Sequence, residues 1–344
     1  MTEDLPAAPV RVTSLDVARR AGVSQSAVSR VFTPGASASK RTVEKVRKAA
    51  EELGYRPNVL ARAMITGKSR IIGLVVYYLD NYFYPLAVER LSVELQKQGY
   101  HVLVFMASNT VGDVESVMQE ILDYQVDGIV LASVSMSSVL ASRCDELGIP
   151  VVLFNRTQKD DRLASVVSNN FEGGRQIARH LVEGGATRIG YIAGFEGAST
   201  QIEREAGFRA GLGEAGADLR YRGTGNFRHD EARAAALEMF AGRDRPDAVF
   251  VCNDHMAFAV MDVLRAKLGL DVPGEVAVAG FDDVPIAAWA AYDLTSFRQP
   301  LGAMVDRTVA VLMDRIGGDG EAPARHVLEG ELIVRSSTRK DITP

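Results

Sequence analysis

The stretch VTSLDVARRAGVSQSAVSRVF, residues 12–32, reads as two short helices packed around a tight turn. Thr13 is a good N-cap, and Asp16 three positions on completes a capping-box pattern. Leu15, Val17, Ala18 and Ala21 fall on one apolar face. Gly22 ends the first helix where the left-handed conformation favours glycine. Val23 plugs the angle, and Ser24 caps a second helix over Gln25–Phe32. With Ala27, Val28 and Val31 turned inward, that helix presents Gln25, Ser26, Ser29 and Arg30 outward. An outward helix face of this kind fits a DNA major groove. Arginine grips guanine bidentately and glutamine grips adenine. Thr13 and Ser24, at helix N-termini, suit phosphate oxygens. A generic three-helix domain is the alternative. The coincidence of caps, a small-residue turn and an exposed Gln/Ser/Arg set in a basic segment argues against it.

Working outward, a Pro-Gly loop leads to Ser39 and Lys40, which open a third helix. Its apolar positions Val43, Val46, Ala50 and Leu53 step by three and four, and Gly54 stops it. Residues 1–11 read as disordered. Residues 55–70, YRPNVLARAMITGKSR, contain a segment long enough for about two helical turns, which is marginal alone. It reads as a linker that becomes helical only when held. Residues 1–70 carry 13 Lys and Arg against 6 Asp and Glu, while the remaining 274 carry 26 against 38. A basic module is joined to a larger acidic one, and basic modules seek polyanions, nucleic acid above all.

From Ile71 the texture changes to apolar strands alternating with amphipathic helices: IIGLVVYY, HVLVFMAS, DGIVLAS and PVVLFN, then, after a loop, VVSNN, RIGYIAG, DAVFVCND and VAVAGFDD. Continuous apolar strands separated by helices mean a parallel sheet covered on both faces. At 344 residues the chain exceeds what one core usually organises. Two doubly wound subdomains splitting near 168–170 fit better, with the tail from TSFRQP onward crossing back. An apolar fraction of 47% and a charged fraction of 24% exclude collagen, global disorder and a coiled-coil rod. No run of eighteen apolar residues suggests a membrane span. The first residues lack the apolar core of a secretory signal. Cys144 and Cys252, the two cysteines, form no CxxC pattern or disulfide framework. A cytoplasmic protein is the expectation.

Other motifs weaken on inspection. The string Gly211-Leu-Gly213-Glu-Ala-Gly216 follows a helix pattern rather than a strand, so it reads as helix-ending glycines, not a dinucleotide site. Gly67-Lys68-Ser69 lacks the first glycine of a phosphate loop, since Arg62 stands there. The histidines show no metal spacing, and no serine sits in a nucleophile elbow. Nothing supports catalysis. Polar residues do collect at the ends of the apolar strands: Asp80 and Asn81, Asn155 and Arg156, Asn253 and Asp254, Asp282 and Asp283. In open α/β sheets this edge binds ligands. With Phe83, Tyr84, Phe227 and Trp289 nearby, the set suits a polyhydroxylated ligand stacked on a ring. The plainer reading is that such residues cap the helices that follow.

Residues 12–32 together with EELGYRPNVLARAM resemble the DNA-binding head of the lactose-repressor (LacI/GalR) family. The resemblance continues through RIGYIAG, VCNDHMA, VAVAGFDD and TSFRQP, over about residues 12–338. It implies a helix-turn-helix head, 12–56, a hinge helix at 57–69, and a periplasmic-binding-protein-like core, 70–338. The N-subdomain is expected at about 70–168 and 296–325, the C-subdomain at about 169–295 and 326–338. Carried over residue by residue, Gln25, Ser26 and Arg30 match base-reading positions. Thr13, Ser24, Ser29, Ser39 and Thr42 match phosphate contacts. Asn58 and Ala61 match the hinge that pairs in the minor groove, and Met64 stands at its wedge position, where leucine is common. Arg204 matches the effector-gripping arginine, Asp282 the acid after the GF step, and Phe227 the flanking aromatic. Phe83 and Tyr84 match an aromatic pair of a purine-responsive branch, but Ala198 replaces an arginine that branch uses, which weakens a purine effector. Asn155 stands where a lactose-responsive branch carries an acid. With Asp80, Asn253 and Asp254 these complete the expected effector set.

The resemblance implies a transcriptional regulator, more often a repressor, that binds a pseudo-palindromic operator in double-stranded DNA and answers a small sugar or sugar derivative. Induction and corepression use the same parts. The C-terminal SSTRKDITP has no leucine heptad, so a homodimer is expected rather than a tetramer. No cofactor, metal or membrane contact is implied. The alternative is a cytoplasmic solute-binding or sensor protein without operator function.

Overall fold

The computed structural model describes residues 12–33, 36–56, 68–77, 79–107, 111–160, 162–318 and 322–338. The N-terminal segment 1–11 and the expected hinge residues Asn58, Ala61 and Met64 lie outside the described residues. The chain divides into two compact units, 1–70 and 71–344.

The first unit is built from α1 (Ser14–Ala21), α2 (Gln25–Phe32) and α3 (Lys40–Leu53). Val17, Ala18, Val28, Val46, Ala49 and Ala50 form its core. Small side chains there let three short helices approach closely. Gly22 does adopt the left-handed conformation, with φ of 65°. One detail differs from the sequence reading: Leu15 is 43% exposed. It sits at the outer edge of the first turn, and Val17, Ala18 and half-buried Ala21 make the apolar stripe without it.

The second unit holds two six-stranded sheets. The first is formed by β1 (Ile71–Val76), β2 (His101–Met106), β3 (Gly128–Ala132), β4 (Val151–Phe154), β5 (Ala164–Ser168) and β11 (Arg325–Leu328). Its order is β11-β5-β4-β3-β1-β2, parallel throughout. Helices α4 (Phe83–Lys97), α5 (Val111–Asp123) and α6 (Ser138–Glu146) connect its first four strands. The second sheet is formed by β6 (Ile189–Ala193), β7 (Leu219–Thr224), β8 (Ala248–Val251), β9 (Ala277–Asp282), β10 (Thr295–Arg298) and β12 (Glu331–Ile333). Its order is β12-β10-β9-β8-β6-β7, and only β12 runs antiparallel to its neighbour. Its helices are α7 (Asn170–Glu183), α8 (Ser199–Glu214), α9 (His229–Phe240) and α10 (Asp254–Asp262), the last running on into a π-helical turn, Val263–Lys267. Helix α11 (Leu301–Gly317) follows β10. Strands β1, β3 and β4 are almost wholly buried, as strands covered on both faces must be.

The chain crosses between sheets three times: after β5, after β10 and after β11. Two crossings fall later than the sequence reading placed them. Thr295–Arg298 belongs to the second sheet, pairing with β9, so the return begins at Gln299 rather than 296. Arg325–Leu328 pairs with β5 in the first sheet, so the last crossing lies at 329–330 rather than 325–326. The misplacement has a cause. TSFR looks polar, yet Thr295 and Ser296 are buried with their hydroxyls satisfied internally.

Strand β7 and helix α9 were not anticipated. β7 is an edge strand whose Arg220 and Arg222 face outward, and α9 buries only small alanines and Phe240. Neither leaves an apolar run. The glycine string is part helix end, part packing. Gly216 is left-handed, with φ of 70°. Gly211 instead lies inside α8 against α7, where an added Cβ would stand 2.6 Å from the Arg175 carbonyl oxygen.

Candidate functional site

In the first unit, local chemistry sets the candidate DNA-reading face. The Thr13 hydroxyl accepts the Asp16 amide at 3.4 Å, and Asp16 accepts the Thr13 amide at 2.9 Å, closing the capping box. The Thr13 hydroxyl and backbone amide hold the Asp16 carboxyl below the usual carboxylate range. Ser24 accepts the Ala27 amide at 3.3 Å and Ser39 the Thr42 amide at 3.2 Å. With Val28 buried in the core, Gln25, Ser26 and Arg30 of α2 are exposed. Gln25 Nε2 donates to Ser14 Oγ at 2.9 Å, which positions it across the turn. Thr13, Ser24 and Ser39 are exposed at three helix starts, while Ser29 and Thr42 are half-buried. Exposed donors at helix N-termini, where backbone dipoles converge, form a ready anion-binding surface.

In the second unit the strand order β2-β1-β3-β4-β5, repeated as β7-β6-β8-β9-β10, puts a topological switch point in each sheet. Crevices form outside the strand ends at such points. There the two sheets contribute to one cavity. Asn81, Tyr84, Ser133, Asn155 and Arg156 line it from the first sheet's side. Thr200, Arg204, Phe227, Asn253 and Asp282 line it from the second.

Arg204 is the organising charge. It is 2% exposed, donates from Nε to Asn170 Oδ1 at 2.9 Å and from Nη1 to the Cys252 carbonyl at 2.7 Å, and approaches Asp282 Oδ1 at 3.5 Å. Its guanidinium lies 3.6 Å from the Phe281 ring centroid, a cation–π contact. Burial pushes the Asp282 carboxyl up to about 6 against the pull of Arg204 and of hydrogen bonds from Gln299 and Asn81. Asn155 is 3% exposed, and its Nδ2 donates to the Tyr84 hydroxyl at 3.3 Å. Its buried Oδ1 has no hydrogen-bond partner among the described residues. An orphan buried acceptor beside a cavity is unfavourable unless a ligand or water completes it. Ser133, Asn155, Phe227 and Asp282 all have positive φ, from 57° to 118°. Strain of this kind concentrates where function needs a side chain aimed. Ser199 Oγ accepts the Thr157 amide at 3.0 Å, tying the first half of the unit to the start of α8.

Six expected effector residues therefore meet at the cavity: Tyr84, Asn155, Arg204, Phe227, Asn253 and Asp282. Three do not. Phe83 is 2% exposed and stacks on Phe154 at 6.3 Å, inside the core behind Tyr84. Asp254 is fully buried behind the wall, accepting Ser296 Oγ at 2.6 Å and the Val284 amide at 2.9 Å. Burial and the neighbouring Asp282 raise its carboxyl well above the ordinary range. Phe83 packs edge-on against Tyr84, whereas Asp254 ties the start of α10 to Val284 and Ser296. Asp80 lines an adjoining cavity instead. Trp289 stands exposed, outside the lining. Ser133 and Thr200 escaped the sequence reading. Ser133 directly follows β3 and shared the strand-end signal, whereas Thr200, in the first turn of α8, had none. Among the described residues no three metal-ligating side chains come together, and no helix is long and apolar enough to cross a membrane.

Known proteins resemble this chain in both sequence and fold. Residues 13–58 match the model of the lacI family of bacterial regulatory proteins, and residues 178–338 match a periplasmic-binding-protein-like domain. The chain is 35% identical over 332 residues to the transcriptional regulator CelR of Thermobifida fusca, covering 93% of this chain and 96% of that one. It is 30% identical over 332 residues to the transcriptional repressor PurR of Vibrio vulnificus, covering 95% and 99%. Among solved structures, a CelR–cellobiose complex aligns at 33% identity with a TM-score of 0.72, covering 95% of this chain and all of that one. A lac repressor dimer bound to operator and an anti-inducer shares the fold at TM-score 0.86 and 24% identity, covering 96% and 100%.

Proposed function

The chain belongs to the LacI family of bacterial transcriptional regulators, and from that premise we propose that it is a sequence-specific repressor governed by a small sugar-like effector. The observation that carries the effector half is the buried Arg204–Asp282 pair facing the orphan acceptor of Asn155, at the strand ends of both sheets. Sugars present vicinal hydroxyls that donate to a carboxylate and an amide oxygen while accepting from a guanidinium. Phe227 supplies the apolar ring on which a pyranose stacks.

Two heads of a homodimer read a pseudo-palindromic operator, since a two-fold protein pairs with a two-fold site. Gln25, Ser26 and Arg30 read bases, and Thr13, Ser24, Ser29, Ser39 and Thr42 hold phosphates. Residues 57–69 serve as the hinge between head, 12–56, and core, 70–338, with Asn58, Ala61 and Met64 in the minor groove. The effector binds between the subdomains and changes their relative closure. It alters operator affinity only through its preference for one closure state. Binding, with no catalytic step, accounts for the mechanism, and its place is the cytoplasm, where the DNA is. CelR, solved as a cellobiose complex, supports the effector half, and the lacI-family match over residues 13–58 supports the DNA half.

Footprinting on DNA upstream of the protein's own gene and its neighbours, with and without a sugar panel, tests the proposal. A protected palindrome, released or tightened by one sugar, is the expected result. A sugar that binds while no DNA is protected at low salt would favour a solute sensor without operator function.

A further inference from the structure

The Arg204–Asp282 pair is anchored to more than its own sheet. Arg204 Nε donates to Asn170 Oδ1 at 2.9 Å, and Asp282 Oδ1 accepts from Gln299 Nε2 at 2.7 Å. Asn170 opens α7 just after β5, and Gln299 follows β10. Each therefore stands where the chain passes from one sheet to the other. With Arg204 3.5 Å from Asp282, the four side chains form one line of polar contacts from the first crossing to the second. Resting on the reading of the cleft as the effector site, we propose that Asn170 and Gln299 are positioning residues that wire the Arg204–Asp282 pair to both crossings, so that a change at the pair resets the closure of the two halves.

Three observations carry it. The first is burial. Asn170, Arg204, Asp282 and Gln299 are 1%, 2%, 5% and 3% exposed, so water does not stand in for these contacts and a broken one is costly. The second is incomplete satisfaction. Ser168 Oγ, at the end of β5, and Gln299 Oε1 are buried without a hydrogen-bond partner among the described residues. Buried polar atoms are normally paired. Crossings that lack a bond in one closure gain by shifting to another in which it is made, which is what a two-state hinge needs. The third is that the crossings are tied together. Asn169 Nδ2 donates to Glu329 Oε1 at 2.9 Å, and the Asn169 amide donates to the Leu328 carbonyl at 2.8 Å. These bonds yoke the third crossing to the first, so a pull on Asn170 reaches all three. The plainer reading is that Asn170 and Gln299 satisfy two buried charges independently of one another.

Solution NMR of the full-length protein, with neither sugar nor DNA added, separates the two. Burial raises the Asp282 carboxyl, while Arg204, Gln299 and Asn81 lower it. The buried Asp254 carboxyl of α10 is its other neighbour. Carboxyl carbon-13 titration, assigned by the resonance lost in Asp282→Asn, follows this group. Gln299→Met should move it up by about one pH unit through loss of a direct donor. Asn170→Leu removes a bond to Arg204 and none to Asp282. It should still move the carboxyl up by about half a unit, because Arg204 loses the anchor that holds it beside Asp282. Exchange of the Thr157 amide, bonded to Ser199 Oγ across the halves, reads closure. Each substitution should speed it about tenfold, and the double variant also about tenfold, since one wire is then cut twice. Asn170→Asp keeps the acceptor for Arg204 and should exchange within about twofold of the parent. An Asp282 titration indifferent to Asn170→Leu overturns the wiring. So does a double variant showing the roughly hundredfold product of independent effects, or Asn170→Asp exchanging as fast as Asn170→Leu. Should Asn170→Leu fail to fold, Asn170→Ser, one bond too short to reach Arg204, carries the same expectations. No sugar enters the test, so its failure leaves the effector reading of the cleft standing. A cleft that binds no sugar, with both NMR results as expected, would sink that reading alone.

Discussion

In the head unit the candidate DNA contacts lie at the surface, and residues close in the chain hold them. Thr13 is fixed by Asp16, Ser24 by the Ala27 amide and Ser39 by the Thr42 amide. Gln25 is steadied by Ser14, eleven positions away. In the cleft between the two sheets the candidate effector contacts are buried, and distant residues hold them. Arg204 meets Asn170, Cys252 and Asp282, from 34 to 78 positions away. The contrast follows from what each region binds. A rigid polyanion needs exposed donors on short, capped helices. A small effector needs polar atoms withdrawn from water, where a hydrogen bond discriminates strongly because an unmade one is costly.

The two regions should therefore respond differently to substitution. The largest effect is expected at Arg204→Ala, which leaves Asp282 buried without its cation. Thermal unfolding should show a loss of about 3–5 kcal/mol, and effector titration should show no response while operator binding persists at low temperature. Loss of operator binding under those same conditions would break the contrast, because the cleft would then be holding the head together.

A pH profile separates the regions next. The Asp282 carboxyl lies at about 6 in the folded chain against 3.8 when unfolded, so the folded state holds this proton more tightly. Stability from this group is fully present below about pH 4 and is lost as pH rises through about 6, by roughly 3 kcal/mol. Asp282→Asn should flatten that part of a denaturation-versus-pH curve. Effector affinity should run the other way, falling as the pH drops below about 6 and the hydroxyl-accepting carboxylate is neutralised. An effector affinity flat across that window would remove Asp282 from recognition.

Arg30→Ala should leave stability within about 0.5 kcal/mol of the parent. It should weaken operator binding by roughly 1–3 kcal/mol and relax base choice at one position. Equal weakening on all sequences would make Arg30 a phosphate contact instead. The smallest effect is expected at Ser24→Ala, which removes the α2 cap at about 1 kcal/mol, while Ser24→Gly should lose only a few tenths. Hydrogen exchange of the α2 amides measures both, and no loss at Ser24→Ala would show that the hydroxyl does not set the helix start.

Much of this protein was readable from residue order because it is governed by local rules. The caps at Thr13, Ser24 and Ser39, the left-handed glycines and the inward Val28 all depend on spacings of three or four residues. The two parallel sheets announce themselves through buried apolar strands, and the strand-end polar residues mark the ligand edge. The sequence-level resemblance also placed Arg204, Asp282 and Phe227, which meet in the cleft.

Tertiary structure decided the rest, because burial and pairing between distant segments leave no periodic trace. Thr295 and Ser296 look like linker and are sheet interior, since their hydroxyls find Arg335, Thr338 and Asp254 only after folding. Edge strand β7 shows one alternating face and no apolar run. Phe83 and Asp254 read as ligand contacts and lie buried outside the cavity lining, because only the packing shows which side of the wall each occupies. Local propensity fixes elements and their caps. The free energy of burying Arg204, Asp282 and Asn155 together is settled only by the closed fold.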